Sequence, residues 1–410
     1  MGTCRRQRPP RWIFPATASA ALACGAHARL QVLDAFEAAR AEALASPAPL
    51  ATEWQPDVRV RLGGDAVASA LTQALRGQGF ERSFDLKLAT LSPSLSVQRV
   101  RLVDPATPGN GHLGVEVLLE GAMGVDAGPL EGRPALSVLA VLDTALDVEN
   151  GKDGWAVTAA TPSLRGLYPQ LRSEMVRNLV TPVLERLGAW VLDRMGAPGT
   201  SWRVVRLGDL SLPLRGLRVG VLDGTVTLDG RSESPSTAVA ALPPYPGEGW
   251  SGTAAVPSVL AVARAALFRR SPLGDDLFAE PRDLRLQDGR FGLDLRLWRV
   301  GDRSGWWRDY TVEGQTSLEG DALQLTDAHA VETGASYGAG WVDPIATLAR
   351  GAILRQIEGA VTASVPTART EDIPGVAASW RLQGVQRVAD DLVATGQAQF
   401  TMAAADASRP

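Results

Sequence analysis

Leu136-Ser137-Val138-Leu139-Ala140-Val141-Leu142-Asp143-Thr144-Ala145-Leu146-Asp147 is almost continuously apolar. Read as one strand of a long antiparallel meander, this run predicts burial on both sides for part of its length. The stretches around it alternate instead. Phe84, Leu86 and Leu88 do so, then Leu95, Val97, Val100 and Leu102, then Val115, Val117 and Leu119. Each reads as a strand with one apolar face. Trp155 and Val157 close the set, and turns are expected at 104–109, 121–128 and 150–151, the last an Asn-Gly pair.

Helices flank the meander. Val58, Val60 and Leu62 alternate with Asp57, Arg59 and Arg61 as a half-buried strand, and Asp65 can cap a helix over 66–77. Val67, Ala70, Leu71, Ala74 and Leu75 form its apolar stripe. Beyond Pro169 a longer helix is predicted near 170–195, striped by Met175, Leu179, Val180, Val183, Leu187, Val191 and Met195. Pro182 should kink it, and Gly196 and Pro198 end it. Trp202-Arg203 opens the last strands, which turn at Asp223-Gly224.

The second half repeats this order. A short helix over 258–268 precedes strands across 284–331, which include a hairpin at Asp288-Gly289. Asp343-Pro344 starts a helix near 343–363 with Ile345, Leu348, Ile353, Ile357 and Val361 on one side, and Trp380-Arg381 follows. A period this long means two copies of one domain rather than a solenoid. The expected fold class is α+β, in two tandem repeats. Each is a long curved antiparallel sheet wrapped on a long amphipathic helix plus a shorter helix. The expected divisions are an export signal over 1–28, a helix and linker over 29–55 and a first domain over 56–230. A Pro-rich linker over 231–251, a second domain over 252–402 and a frayed tail over 403–410 follow. The helix within 29–45 would place Leu30, Leu33, Phe36 and Leu44 on one side.

The export reading rests on Arg5, Arg6, Arg8 and Arg11, the modest apolar stretch 12–23, and Ala26-His27-Ala28 as a leader-peptidase pattern. A second reading cuts before Cys24 and lipidates it. Both cysteines, Cys4 and Cys24, lie in this segment, so the mature chain has no disulfide. The full chain carries 41 basic and 45 acidic residues, a net −4. Loss of four arginines takes that to −8, with only Lys87 and Lys152 among the bases not arginine. Without a basic block, nucleic acid is not an expected partner. No stretch after the leader has the roughly 18 apolar residues of a spanning helix, and the body reads as soluble.

Catalytic motifs fail on context. Gly109-Asn110-Gly111-His112-Leu113-Gly114 matches a dinucleotide fingerprint, but a strand rather than a helix should follow it. Gly334-Ala335-Ser336-Tyr337-Gly338 matches a nucleophile elbow, yet His27, His112 and His329 all precede Ser336. A serine hydrolase using Ser336 and His329 stays as a lesser alternative. No cofactor and no metal are expected, since two mature histidines and no mature cysteine make a poor zinc set. Trp306-Trp307 with Arg303 and Arg308 has the composition of a membrane or headgroup contact. Adjacent strand residues face opposite ways, so at most one of the two Trp should be inside the core.

The order of short helix, long meander, long helix and final strands, given twice with Trp202-Arg203 and Trp380-Arg381, resembles the tubular lipid-binding superfamily. The resemblance is to its tandem group of bactericidal/permeability-increasing and lipopolysaccharide-binding proteins. It rests on element order over about residues 56–402, and the disulfide and basic tip of the vertebrate members are missing. It implies a non-catalytic protein that binds or transfers a lipid or other long apolar ligand in a helix–sheet groove. The implied lining is Leu71, Leu75, Leu179, Val183, Leu187, Leu348, Ile353 and Ile357. It also implies an exported protein of the periplasm or outer membrane, with a membrane surface as a second partner. A structural envelope scaffold with a filled core and a protein partner is the alternative.

Overall fold

The computed structural model describes residues 30–46, 48–75, 79–81, 83–86, 89–107, 111–126, 131–151, 154–159, 162–169, 203–207, 214–233, 238–240, 242–269, 276–301, 305–336, 354–355, 357–359, 364–373 and 376–402. In chain order the elements begin with α1 (30–43), β1 (Val58–Leu62), α2 (Gly64–Leu75), β2 (Gly79–Glu81), β3 (Phe84–Leu86) and β4 (Ala89–Val103). Then come β5 (His112–Asp126), β6 (Glu131–Gly132), β7 (Ala135–Gly151), β8 (Gly154–Ala159), β9 (Ser163–Pro169) and β10 (Arg203–Leu207). β11 (Leu214–Leu222), β12 (Thr225–Ser232), β13 (Trp250–Ala255), α3 (Val256–Arg269), β14 (Leu277–Gln287) and β15 (Arg290–Val300) follow. The last are β16 (Gly305–Glu319), β17 (Ala322–Ala335), β18 (Ser364–Pro366), β19 (Ala368–Ile373), β20 (Val376–Val388) and β21 (Asp391–Met402).

The described chain is therefore mostly antiparallel sheet with few helices, which fits the α+β class. The long helices predicted near 170–195 and 343–363 lie outside the described residues, except 354–355 and 357–359, which are helical. The chain forms two compact units, each discontinuous in sequence. The larger takes residues 49–258, 320–322 and 366–410; the smaller takes 1–48, 259–319 and 323–365.

The larger unit holds two sheets. One is the meander, β10-β8-β7-β5-β4-β2, with β3 on β4, β6 on β5 and β9 on β7. It bends where the pairing slips, between Val97 and Arg99 on β4 and beside Val141/Leu142 on β7. Residues 121–126 of the turn expected over 121–128 are instead strand, since β5 runs on to Asp126; 127–128 lie outside the described residues. Gly121 is not a turn glycine. A Cβ there would stand 1.9 Å from the Ser94 carbonyl oxygen of the paired strand, so only glycine permits this close approach.

The second sheet has the order β11-β12-β1-β13-β21-β20-β19. Apart from β19 at one edge, it is symmetrical about the β1–β13 pair, whose register runs from Val58 opposite Ala254 to Leu62 opposite Trp250. Each central strand leads directly into a helix, β1 into α2 and β13 into α3. Each is flanked by a hairpin, β11–β12 beside β1 and β20–β21 beside β13. The two Trp-Arg pairs do not share this symmetry. Arg203 lies in β10 of the meander sheet, whereas Trp380-Arg381 lie in β20 of the seven-stranded sheet; Trp202 is outside the described residues.

One face of the seven-stranded sheet is a buried polar layer. Asp57, Arg61, Thr225, Thr227, Ser251, Thr253 and Asp391 are all buried. The alternation of β1 predicted a solvated face for Asp57, Arg59 and Arg61; Arg61 is only 6% exposed. The Pro-rich segment between the two halves explains this, because it is strapped down nearby. Arg61 donates to the Pro243 carbonyl and to Thr225 Oγ1, and the Asp391 carboxylate accepts from Ala240 N–H. Val239 N–H bonds the Pro56 carbonyl.

The smaller unit is built on the sheet β14-β15-β16-β17-β18. α1 packs here, through Val32, Phe36, Ala39 and Ala43, against Phe268, Phe278, Trp298 and Val300. Of the stripe predicted for this helix, Phe36 and Leu44 pack inward, while the rest of the inward side is shifted. Leu30 is exposed and the inward side is i, i+4, i+7, i+11 from Val32.

Candidate functional site

The long strands β4, β5 and β7 place their inward residues in register across the sheet. Leu119 lies opposite Val97 on one side and Val138 on the other, and all three are 2% exposed or less. One row along, Val117 lies between Val100 and Ala140. In the other direction Leu95 and Leu136 flank Gly121, and Met123 and Val125 continue the face toward Leu91 and Phe84. β9 adds Leu164 and Leu167 at the edge. The buried residues Leu91, Leu95, Val97, Val100, Val117, Leu119, Met123, Leu136, Val138 and Leu142 pack together as one hydrophobic cluster. Period two along three neighbouring strands, with the bulge after Val97 restoring the phase before Val100, makes the face continuous.

α2 covers one end of it. Val67 belongs to the cluster of Leu113, Leu146, Val219 and Val226, while Leu71 and Leu75 join the main face. Thr72 fixes the helix: its hydroxyl donates to the Ala68 carbonyl and accepts from Val100 N–H, 2.9 Å away. With 12 residues, α2 spans roughly 18 Å at 1.5 Å per residue. From Leu102 to Leu91 the strand face runs roughly 36 Å at 3.3 Å per residue. The helix reaches along about half of it.

Of the residues predicted to line a groove, Leu71 and Leu75 are brought to this face. Leu179, Val183, Leu187, Leu348 and Ile353 lie outside the described residues, as do Arg303 and Cys24. Ile357 is buried in the smaller unit. Phe84, Leu91, Leu95, Val97, Leu119, Met123, Leu136 and Val138 form most of the face and were left out of the predicted lining. Their signal was the strand alternation itself. The run at 136–147 is buried on its even residues, with Leu139 and Val141 half-buried on the other side.

Trp306 and Trp307 are both half-buried. Trp307 packs on the α1 cluster under the Arg296 guanidinium, 3.7 Å from its ring, and Arg296 is held in turn by both oxygens of Asp309. Arg308 lies 5.8 Å from the Trp306 ring and pairs with Glu332. Ser336 is tied to the same strand: its hydroxyl accepts from Trp307 N–H at 3.0 Å. His329 stands seven residues before it, roughly 20 Å along an extended strand, and faces Glu358 at 3.7 Å. The structure does not bring Ser336 and His329 together. At the other glycine motif, His112 opens β5, so a strand follows it.

A polar cleft of about 640 Å³ opens in the smaller unit, lined by Arg285, Asp288, Arg290, Glu313 and Asp327 among others. Its charges are mixed and most of its lining is exposed, Phe291 and Gly292 being buried, unlike the apolar face of the larger unit. Among the described residues no group of three His, Cys, Asp or Glu side chains could hold a metal ion.

No family model and no characterised protein sequence matches the chain. Solved structures align with much of the chain at low identity. Lipopolysaccharide binding protein is 11% identical with a TM-score of 0.35, over 85% of this chain and 100% of that one. P47 of Clostridium botulinum E1 is 7% identical with a TM-score of 0.43, over 84% and 99%. P47 from Clostridium botulinum A2 is 9% identical with a TM-score of 0.40, over 83% and 97%.

Proposed function

We propose that this chain is an exported, non-catalytic envelope protein that binds or transfers a lipid or other long apolar ligand along the inward face of β4, β5 and β7. The observation that carries this reading is the continuous, charge-free face about twice as long as the helix α2 laid on it. Such a face suits an acyl chain, which needs length, apolar lining and no hydrogen-bond partners. Leu71 and Leu75 would close the near end, and Phe84, Leu91, Leu95, Met123 and Leu136 would line the far end. On this reading the repeated element order reflects two tandem halves of tubular lipid-binding type, cleaved after Ala28 or lipidated at Cys24.

The deep burial of Val97, Leu119 and Val138 favours a second reading, a scaffold whose core is filled by its own side chains. Native mass spectrometry of residues 29–410, expressed with export and purified without detergent, separates the two. Co-purified lipid at a fixed stoichiometry, released by solvent extraction, supports the groove. An apo mass that also takes up no fluorescent fatty acid or phospholipid sinks it.

A further inference from the structure

Leu242-Pro243-Pro244-Tyr245-Pro246 belongs to neither helix nor strand. Proline fixes φ near −65°, and a residue before proline is pushed into extended conformations. Leu242, Pro243 and Tyr245 each precede a proline and Pro244 is one, so the sequence itself dictates a polyproline II run. That helix has three residues per turn. Positions 242 and 245 therefore share one edge, 243 and 246 a second, and 244 lies on the third.

Exposure follows this period. Pro243 is buried and Pro246 half-buried, while Leu242 is 51% and Tyr245 64% exposed, with Pro244 also exposed. The run is held from its inner side. Arg61 donates to the Pro243 carbonyl at 3.2 Å, Ser251 Oγ to the Pro244 carbonyl and Gly249 N–H to the Pro246 carbonyl at 3.0 Å. The Arg61 guanidinium lies 5.7 Å from the Tyr245 ring. Two large apolar side chains are thus displayed outward on a backbone already fixed in the bound form of a proline-rich ligand.

We propose that residues 242–246 are a docking strip for a protein partner whose aromatic-lined groove reads polyproline II segments. Such grooves stack proline rings and neighbouring apolar side chains on Trp and Tyr, and gain affinity from a ligand that is already ordered. A lipid surface would accept any exposed apolar pair and would not require the threefold order. Glu248, exposed two residues on, has the wrong sign for an anionic bilayer. The strip lies in the seven-stranded-sheet part of the larger unit and is independent of the apolar-face reading.

The test titrates the full mature chain against a panel of purified SH3-, WW- and EVH1-type domains, and against phosphatidylcholine/phosphatidylglycerol vesicles. The comparison is Leu242→Ser/Tyr245→Ser, with its melting temperature and far-ultraviolet spectrum checked against wild type; Pro244→Ala is a second variant. The expected result is at least one domain bound with Kd of about 10 μM or tighter. The double variant, folded as wild type, should weaken that binding by about tenfold or more, and Pro244→Ala should weaken it less. If no domain binds, or the variants bind as tightly as wild type, the proposal is overturned. Vesicle binding that the double variant abolishes overturns it too and assigns the strip to a membrane.

Discussion

A methyl group at position 121 would collide with the Ser94 carbonyl, whereas at Gly124 the nearest atom is Ser92 O at 3.2 Å. Backbone cannot retreat without breaking the β4–β5 ladder. Gly121→Ala should therefore cost about 2–3 kcal/mol and Gly124→Ala under about 1 kcal/mol. Urea denaturation of both variants checks this, and equal losses would refute the close-approach argument. The opposite sign is expected at Ala389, which holds φ +53° at the β20–β21 turn. Asp223-Gly224 and Asp288-Gly289 carry glycine at the second positive-φ position of their turns. A left-handed L-residue costs on the order of 1 kcal/mol. Ala389→Gly should raise the melting temperature, and a fall would show that the turn is held by something other than its own dihedrals. The sequence marked Asp223-Gly224 and Asp288-Gly289 as turns because Asp-Gly has a local mechanism. It misassigned 121–126 because glycine needed for a neighbour's backbone looks, in one dimension, like glycine needed for a turn.

Among the elements, α1 shows the same division between local and distant causes. Its existence was legible from apolar spacing and from Ser46-Pro47 after it. Its inward side was legible only in part: Phe36 and Leu44 were on the expected side, whereas Val32 was not, because its place is chosen by partners more than 200 positions away. Phe36 is 2% exposed, with ring centroids 5.0 Å from Phe278 and 5.8 Å from both Phe268 and Trp298. Phe36→Ala should cost about 3–5 kcal/mol. Hydrogen exchange should show the loss in β14 and β15 while β4 and β5 stay protected. Uniform loss across both sets would mean that the two compact units unfold as one. The strap makes a parallel case: proline and polar residues at 231–251 read as a linker, yet the buried side chains that hold it come from strands on both sides of it. Arg61→Met removes the donor to Pro243 and Thr225, so hydrogen exchange at the strap amides of Val239 and Ala240, bonded to the Pro56 carbonyl and the Asp391 carboxylate, should become several-fold faster. An unchanged exchange rate would show that the other bonds suffice.

At the scale of the whole chain, part of the element order was legible and the strand pairing was not. β1 leads into α2 and β13 into α3, and the two strands pair with each other. Element order survives in one dimension. Which edges meet is fixed by long-range hydrogen bonding that no window of sequence contains. As a result β1 is bonded to β12 from its own half and to β13 from the other, and β13 in turn to β21. Cutting the chain at 236/237 would remove four of the seven strands from that sheet and leave the β1 edge open. It would also separate α1 from Phe268, Phe278 and Trp298. An open strand edge pairs with whatever is offered. Residues 29–236 alone should accordingly aggregate or self-pair through β1, while co-expression with 237–410 should restore a soluble one-to-one complex. Analytical ultracentrifugation reads the outcome: a monomeric, cooperatively melting 29–236 fragment would show that the first half closes its own core without β13.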